Sequence, residues 1–260
     1  MLLVDKKDGV ARVTLNRPDV RNAFDDASIS RLTKTFQEIE KDNSVRVLVL
    51  AGNGPAFCAG ADLNWMKRMA GYGYEQNLAD ARALADMLAA LDRMPKPTIA
   101  RVHGAAFAGG TGLVAACDIA VGTPEAKFCF SEAKLGLSPA TISPHVIRAI
   151  GERAARRYFL TAEVFDAAEA ERIGLLSAVV PSQELDASID EMVKHLLAGG
   201  PQAMKQIKEL IRAVASRPLD DAMIADTARR IAEIRVSAEG REGIASFLEK
   251  RKASWCSRKS

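Results

Sequence analysis

Phe57-Cys58-Ala59-Gly60-Ala61-Asp62-Leu63 and His103-Gly104-Ala105-Ala106-Phe107-Ala108-Gly109-Gly110-Thr111-Gly112-Leu113 decide the fold. Each reads as a tight turn after a β-strand, with a helix following the glycines. Such turns leave backbone N–H groups unpaired at the positive end of a helix. Two of them aimed at one point form an oxyanion hole, which polarises a carbonyl such as that of a thioester.

Working outward, the chain opens with a hairpin. Leu2-Leu3-Val4 is one arm, Lys7-Asp8-Gly9 the turn, and Val10 to Asn16 the other arm. Ala11, Val13 and Leu15 alternate with polar residues, the period of a half-buried strand. Ile29, Leu32, Phe36 and Ile39 recur at helical spacing, with Asp25 or Asp26 as cap. Arg46 to Ala51 reads as a strand leading into the first glycine segment. Ala79 to Leu91 reads as a helix ended by Pro95 and Pro97. Pro97 to Val102 is a strand leading into the second segment, and Leu113 to Cys117 a buried helix. Ile119 to Val121 and Lys127 to Phe130 are strands. The alternation predicts α/β layering with mixed sheets. From Pro201 onward the pattern is helical. Met204, Ile207, Leu210, Ile211 and Val214 mark one apolar face. Residues 1–195 are therefore expected as a core, and 196–260 as a helical appendage that packs on it or on a neighbouring subunit.

The bulk numbers fit a globular protein. Of 260 residues 48% are apolar, and the net charge is +3. That balance, with no aromatic–basic platform, gives nucleic acid no footing. No apolar run approaches a membrane span, and the N-terminus shows no secretory pattern. Cys58, Cys117, Cys129 and Cys256 have no metal-ligand spacing, and reduced thiols in the cytoplasm are expected. With three histidines and no clustered ligands, no metal is expected.

Other readings of these residues compete. The glycine cluster lacks the spacing of a dinucleotide-binding turn. A hydrolase triad lacks its G-x-S-x-G elbow. Asp62 suits the N-cap of a helix over Leu63–Met69. His103 reads as a hydrogen-bonded structural residue, and His145 and His195 lie in helical contexts. Glu132, in Phe130-Ser131-Glu132-Ala133-Lys134-Leu135, would have its pKa raised by burial beside apolar neighbours and be suited to proton transfer. Trp65, Met66, Met69, Tyr72 and Tyr74 are either core or an apolar lid. Lys250-Arg251-Lys252 is either a solvated helix end or a contact for an anionic ligand.

The whole set resembles the enoyl-CoA hydratase/isomerase (crotonase) family. The resemblance rests on Leu15-Asn16-Arg17-Pro18 with Asn22-Ala23-Phe24, on both glycine segments, on Cys117-Asp118-Ile119-Ala120 and on Phe130-Ser131-Glu132. It covers nearly the whole chain. It implies an α/β spiral of ββα units followed by C-terminal trimerisation helices, assembled as a homotrimer or a hexamer of two trimers. It implies an acyl-CoA thioester substrate, with coenzyme A part of the substrate and no tightly bound cofactor.

Residue by residue, the resemblance gives the oxyanion hole to the N–H groups of Ala59 and Gly109 and proton transfer to Glu132. Gly60, Ala61, Asp62 and Leu63 line the CoA pocket, and Phe247 and Lys250 touch the CoA of an adjacent subunit. Hydratases of the family pair two glutamates, and here the first position is Gly112. Water or the substrate's distal carboxylate is expected in that space. The stretches Gly136–Pro144 and Arg148–Tyr158 resemble bacterial methylglutaconyl-CoA and isohexenylglutaconyl-CoA (γ-carboxygeranoyl-CoA) hydratases. A different crotonase reaction such as isomerisation, and a non-catalytic acyl-CoA binder, stay open.

Overall fold

A computed structural model of the chain describes residues 2–256. Strands β1 (Leu2–Lys7) and β2 (Val10–Leu15) pair antiparallel across Asp8 and Gly9. Both turn residues have left-handed backbones, with φ of 49° and 81°, as a two-residue hairpin turn demands. Helix α1 (Asp26–Lys41) follows. Asp25 caps it by accepting from the Ser28 N–H, and Ile29, Leu32, Phe36 and Ile39 are buried along one stripe.

Then come β3 (Val47–Gly52), α2 (Leu63–Met69), α3 (Tyr74–Asp92), β4 (Thr98–Val102), β5 (Ala105–Phe107), α4 (Gly109–Ala116), β6 (Ile119–Gly122) and β7 (Lys127–Cys129). Helix α5 (Ser143–Thr161), β8 (Phe165–Asp166), α6 (Ala167–Arg172), β9 (Ala178–Val179) and α7 (Leu185–Ala198) complete the layered part. Helices α8 (Pro201–Val214), α9 (Asp221–Val236) and α10 (Ala238–Leu248) close the chain.

Two sheets result. The larger has the order β1-β2-β3-β4-β6-β9, parallel apart from β1, and the smaller the order β5-β7-β8. Inside one face of the large sheet, Leu48, Leu50, Ala100 and Val102 join α1, α3 and α4 in the main core. On its other face Val47, Val49, Ile99 and Val121 meet Leu185, Ile189 and Val193 of α7. Both faces are covered, so the central strands β3 and β4 are almost wholly buried.

The boundary expected at residues 195 and 196 falls inside α7. Leu196 and Leu197 still pack on the sheet, and the chain breaks away at Gly199 and Gly200. Helix α8 then runs against its apolar pattern. Lys208 is buried, with its Nζ donating to Asp118 Oδ2 at 2.6 Å and to the Lys96 carbonyl at 3.1 Å. Ile207 and Ile211 face outward, 47% and 58% exposed.

One difference from the sequence reading positions the site. The second glycine segment is not a single turn. After β4 the chain swings at Gly104 (φ 59°) into a strand of its own, β5. A Cβ on Gly104 would lie 2.2 Å from the Pro55 carbonyl oxygen, so the swing requires glycine. Gly109, Gly110 and Gly112 belong to α4 itself.

Candidate active site

Strand β5 brings three stretches side by side. On one side Cys58 bridges to Ala106, and the Phe107 N–H donates to the Cys58 carbonyl at 3.0 Å. On the other, Phe107 pairs with Cys129 of β7, and the Ala108 N–H donates to the Cys129 carbonyl at 2.8 Å. Residues 58–61, 106–109 and 129–132 therefore meet at the start of α4. Ala108 takes φ 48° and ψ −117° there, a strained backbone for a residue with a Cβ.

The backbone donors at this junction can be traced one by one. The Ala59 N–H donates to the Arg21 carbonyl at 2.9 Å. The Gly60 N–H serves the Cys58 thiol, and the Asp62 N–H donates to the Phe24 carbonyl. The Ala61 N–H has no hydrogen-bond partner among the described residues. As the first residue of α4, Gly109 likewise has no helical acceptor. The expectation for Ala59 is thereby corrected: its donor is committed to Arg21, and Ala61 carries a free N–H in the turn of the first segment.

The loop before α1 builds this arrangement. Arg21 and Asn22 both adopt left-handed backbones, φ 52° and 57°. The Asn22 side chain donates to the carbonyls of Asn53 and Ala56, and its Oδ1 accepts from the Arg17 N–H. Phe24 lies beside Ala61 in a parallel bridge, its N–H donating to the Gly60 carbonyl. Arg17 ties the loop down, reaching Asp62 Oδ2 at 2.9 Å and the Ala23 carbonyl at 2.7 Å. In the sequence Arg17 and Asn22–Phe24 are motif residues without a visible task, because most of their partners lie far along the chain.

Asp62 is buried and works as the N-cap of α2, accepting from the N–H groups of Asn64 and Trp65. Burial pushes its carboxyl up, but those N–H groups and the Arg17 guanidinium outweigh it and hold it below the usual range. Leu63, in contrast, is 74% exposed. Burial pushes the Cys58 thiol up to about 12, against the Gly60 N–H, so it is no thiolate nucleophile.

Glu132 sits in a short 3-10 turn, Ser131–Leu135, directly after β7. Its Oε2 is buried with no hydrogen-bond partner among the described residues. Burial pushes its carboxyl above the ordinary glutamate range, opposed in part by its own backbone N–H. A desolvated carboxyl with one oxygen left without a partner has the environment that suits proton transfer.

The space expected at Gly112 is taken. A Cβ there would lie 2.4 Å from Cγ2 of Ile142, which is buried with Leu88 in the main core. A side chain at 112 therefore has no room for its Cβ in this conformation.

The remaining candidates fall elsewhere. His103 Nε2 lies 2.7 Å from the Gly54 carbonyl and Nδ1 3.4 Å from Arg101, a structural setting. The pairing to a carbonyl assigns the ring proton to Nε2. His145 is buried in α5, with Nδ1 3.8 Å from Asp92, and His195 is exposed beside Glu191. Trp65 is core, its Nε1 donating to Asp80, while Tyr74 is 75% exposed. Phe247 and Lys250 stand exposed at the end of α10, and Arg251 is clamped by Glu242 and Glu249. Among the described residues no His, Cys, Asp and Glu cluster could hold a metal, and no helix is long and apolar enough to cross a membrane.

Comparison with known proteins gives the family and the fold. The sequence model of the family described as Enoyl-CoA hydratase/isomerase matches residues 5–258. Enoyl-CoA hydratase ACTT6 of Alternaria alternata is 37% identical over 242 residues, covering 92% of this chain and 78% of that protein. The crystal structure of an enoyl-CoA hydratase from Shewanella pealeana superposes with a TM-score of 0.95 at 45% identity, covering 98% of this chain and 95% of that one. Pseudomonas aeruginosa AtuE superposes with a TM-score of 0.93 at 38% identity, covering 98% and 99%.

Proposed function

The chain belongs to the enoyl-CoA hydratase/isomerase family and has its crotonase fold, and from that premise we propose that it hydrates a 2-enoyl-CoA through one carboxylate, Glu132, and an oxyanion hole made by the N–H groups of Ala61 and Gly109. The observation that supports this reading is that β5 aligns the segments carrying Ala61, Gly109 and Glu132, where Ala61 and Gly109 have N–H groups without acceptors and Glu132 Oε2 is buried without a partner.

The steps follow from that geometry. The thioester oxygen accepts from both N–H groups, and the α4 dipole adds to them at Gly109. Glu132, as carboxylate, takes a proton from water as the water oxygen bonds to C3. The C2–C3 π electrons pass to the thioester oxygen as an enolate, which the hole stabilises. Glu132 then returns a proton to C2, and the carboxylate is regenerated. The net change is one water added across the double bond. A carboxyl whose pKa is raised by burial suits both halves of this cycle.

The substrate is read as methylglutaconyl-CoA or a related branched enoyl-CoA, as in leucine breakdown. The resemblance of the Gly136–Pro144 and Arg148–Tyr158 stretches supports this. Gly60, Ala61, Asp62 and Leu63 are assigned to the CoA side of the pocket, Asp62 through its cap. Coenzyme A enters as part of the substrate, with no resident cofactor. Phe247 and Lys250 are assigned to the CoA of a neighbouring subunit in a homotrimer or hexamer. The outward Ile207, Ile211, Ile224, Ile231 and Phe247 of the C-terminal helices support such an assembly. Four free cysteines support a cytoplasmic enzyme.

A single base also suits double-bond isomerisation, in which one group carries a proton from C2 to C4. Crotonyl-CoA, 3-methylglutaconyl-CoA and a 3-enoyl-CoA separate these readings by the absorbance of the conjugated thioester. Loss with a 2-enoyl substrate marks hydration, and gain with the 3-enoyl substrate marks isomerisation. Binding without either change would leave a non-catalytic acyl-CoA binder and overturn the enzyme reading.

A further inference from the structure

Phe24 touches both halves of the proposed hole. Its backbone brackets Ala61, with its N–H on the Gly60 carbonyl and its own carbonyl accepting the Asp62 N–H, each at 2.9 Å. Its ring reaches the other half. A Cβ on Gly109 would lie 2.3 Å from Phe24 Cζ, and 3.2 Å from each Cε. The edge of the ring therefore rests against the Gly109 backbone. The ring is itself fixed, 2% exposed and tilted against Trp65 at 6.4 Å.

We propose that Phe24 is the spacer that sets the separation of the two oxyanion donors, which makes it a positioning residue for the reaction. The inference rests on the hole assigned under the proposed function. An oxyanion hole works because its donors are already placed where charge will develop. A donor moved by about an ångström loses most of that advantage. Here one backbone hydrogen-bond pair fixes the Ala61 side of the gap, and one aromatic edge fixes the Gly109 side. The rigid ring transmits position from one to the other. Arg17 and Asn22 hold the loop that carries it. The same contact accounts for glycine at 109, since any side chain there would drive into the ring.

A 2,4-dienoyl-CoA thioester reports on the hole directly, because polarising its carbonyl moves its absorbance to longer wavelength. The wild-type protein should shift this band. Phe24→Leu should lose about half of the shift or more. Its kcat on the enoyl-CoA substrate should fall about 10- to 100-fold, part of the loss seen when a hole donor is removed outright. The dissociation constant for the thioester should stay within about threefold, since remote CoA contacts are kept. Phe24→Met, longer and unbranched and so better able to fill the site of the ring, replaces Phe24→Leu should the latter fail to melt cooperatively.

Gly109→Ala should lose turnover through its clash with the ring. Adding Phe24→Leu to it should recover about tenfold. A folded Phe24 variant with the full shift and normal turnover overturns the spacer, and so does a double variant whose two losses multiply. Failure of the hydratase reading looks different: the wild-type protein would shift the band yet turn over no enoyl-CoA, and the band alone would then decide the spacer. A wild-type protein that binds the dienoyl thioester without any shift overturns the hole and the spacer with it.

Discussion

Ile142 occupies the place that a side chain at Gly112 would need: its Cγ2 lies 2.4 Å and its Cβ 3.0 Å from the Cβ that any other residue would carry there. The glycine at 112 is therefore matched by an apolar residue packed where a side chain would have to begin. Gly112→Glu alone should fail to create a two-glutamate site. Overpacking should cost about 1–3 kcal/mol, with a further penalty for an unpaired buried carboxylate. Urea denaturation should show the loss, and Ile142→Ala in the same chain should restore part of it. A Gly112→Glu protein of normal stability would show that the Ile142 contact yields freely.

The burial of Glu132 has a consequence for stability with a definite sign. Its pKa in the folded chain is raised above that in the unfolded chain. Between those two values the folded state holds the extra proton, so stability falls as pH rises through that window. Above it the penalty is complete. Glu132→Gln should therefore melt at a higher temperature than wild type at about pH 8. The difference should shrink as pH falls toward about 4, the unfolded carboxyl range. Thermal melts across that range test it, and an equal or lower melting temperature at about pH 8 would contradict it.

The same displacement sets the acid limb of activity. Proton removal from water needs the carboxylate, so kcat/KM should fall as pH drops through the raised pKa of Glu132. The limb should lie above the ordinary glutamate value of about 4.3. Initial rates against pH locate it. A limb at or below that value would mean that the reacting group is exposed and unperturbed.

Asp62 joins the cap of α2 to the Arg17 clamp. Asp62→Ala should cost about 0.5–2 kcal/mol through the cap alone, and more for leaving Arg17 without its buried partner. Asp62→Asn keeps a cap acceptor and should cost less. Chemical denaturation of the two variants gives the order, and equal losses would remove the cap from the account.

Much of this was legible in the chain. Alternation in Ala11–Leu15, helical spacing in Ile29–Ile39 and the Asp62 signal before Leu63 each resolve locally, and the structure forms those elements there. Glu132 could be singled out because it follows a strand and adjoins apolar residues. What escaped depends on tertiary contact. Strand β5 is three residues long and exists through its pairing with β7, where Ala105 faces Lys127 and Phe107 faces Cys129, so no period announces it. The free N–H at Ala61 rather than Ala59 is set by a carbonyl at Arg21, far off in sequence. The outward apolar face of α8 reflects the burial of Lys208 against Asp118, a pairing that periodicity cannot foresee. Ile142 fills the Gly112 position from the start of another helix, which no local pattern around either residue reveals.

The central claim is that Glu132 is the carboxylate that moves the proton while Ala61 and Gly109 hold the thioester oxygen. The most direct measurement is turnover of a 2-enoyl-CoA by wild type and Glu132→Gln, read by loss of the conjugated thioester's absorbance, with binding of the thioester measured alongside. The account predicts a fall in kcat of about 10²- to 10⁴-fold, the usual worth of a positioned acid/base group, with binding retained. Near-normal turnover in the folded Glu132→Gln protein would contradict it.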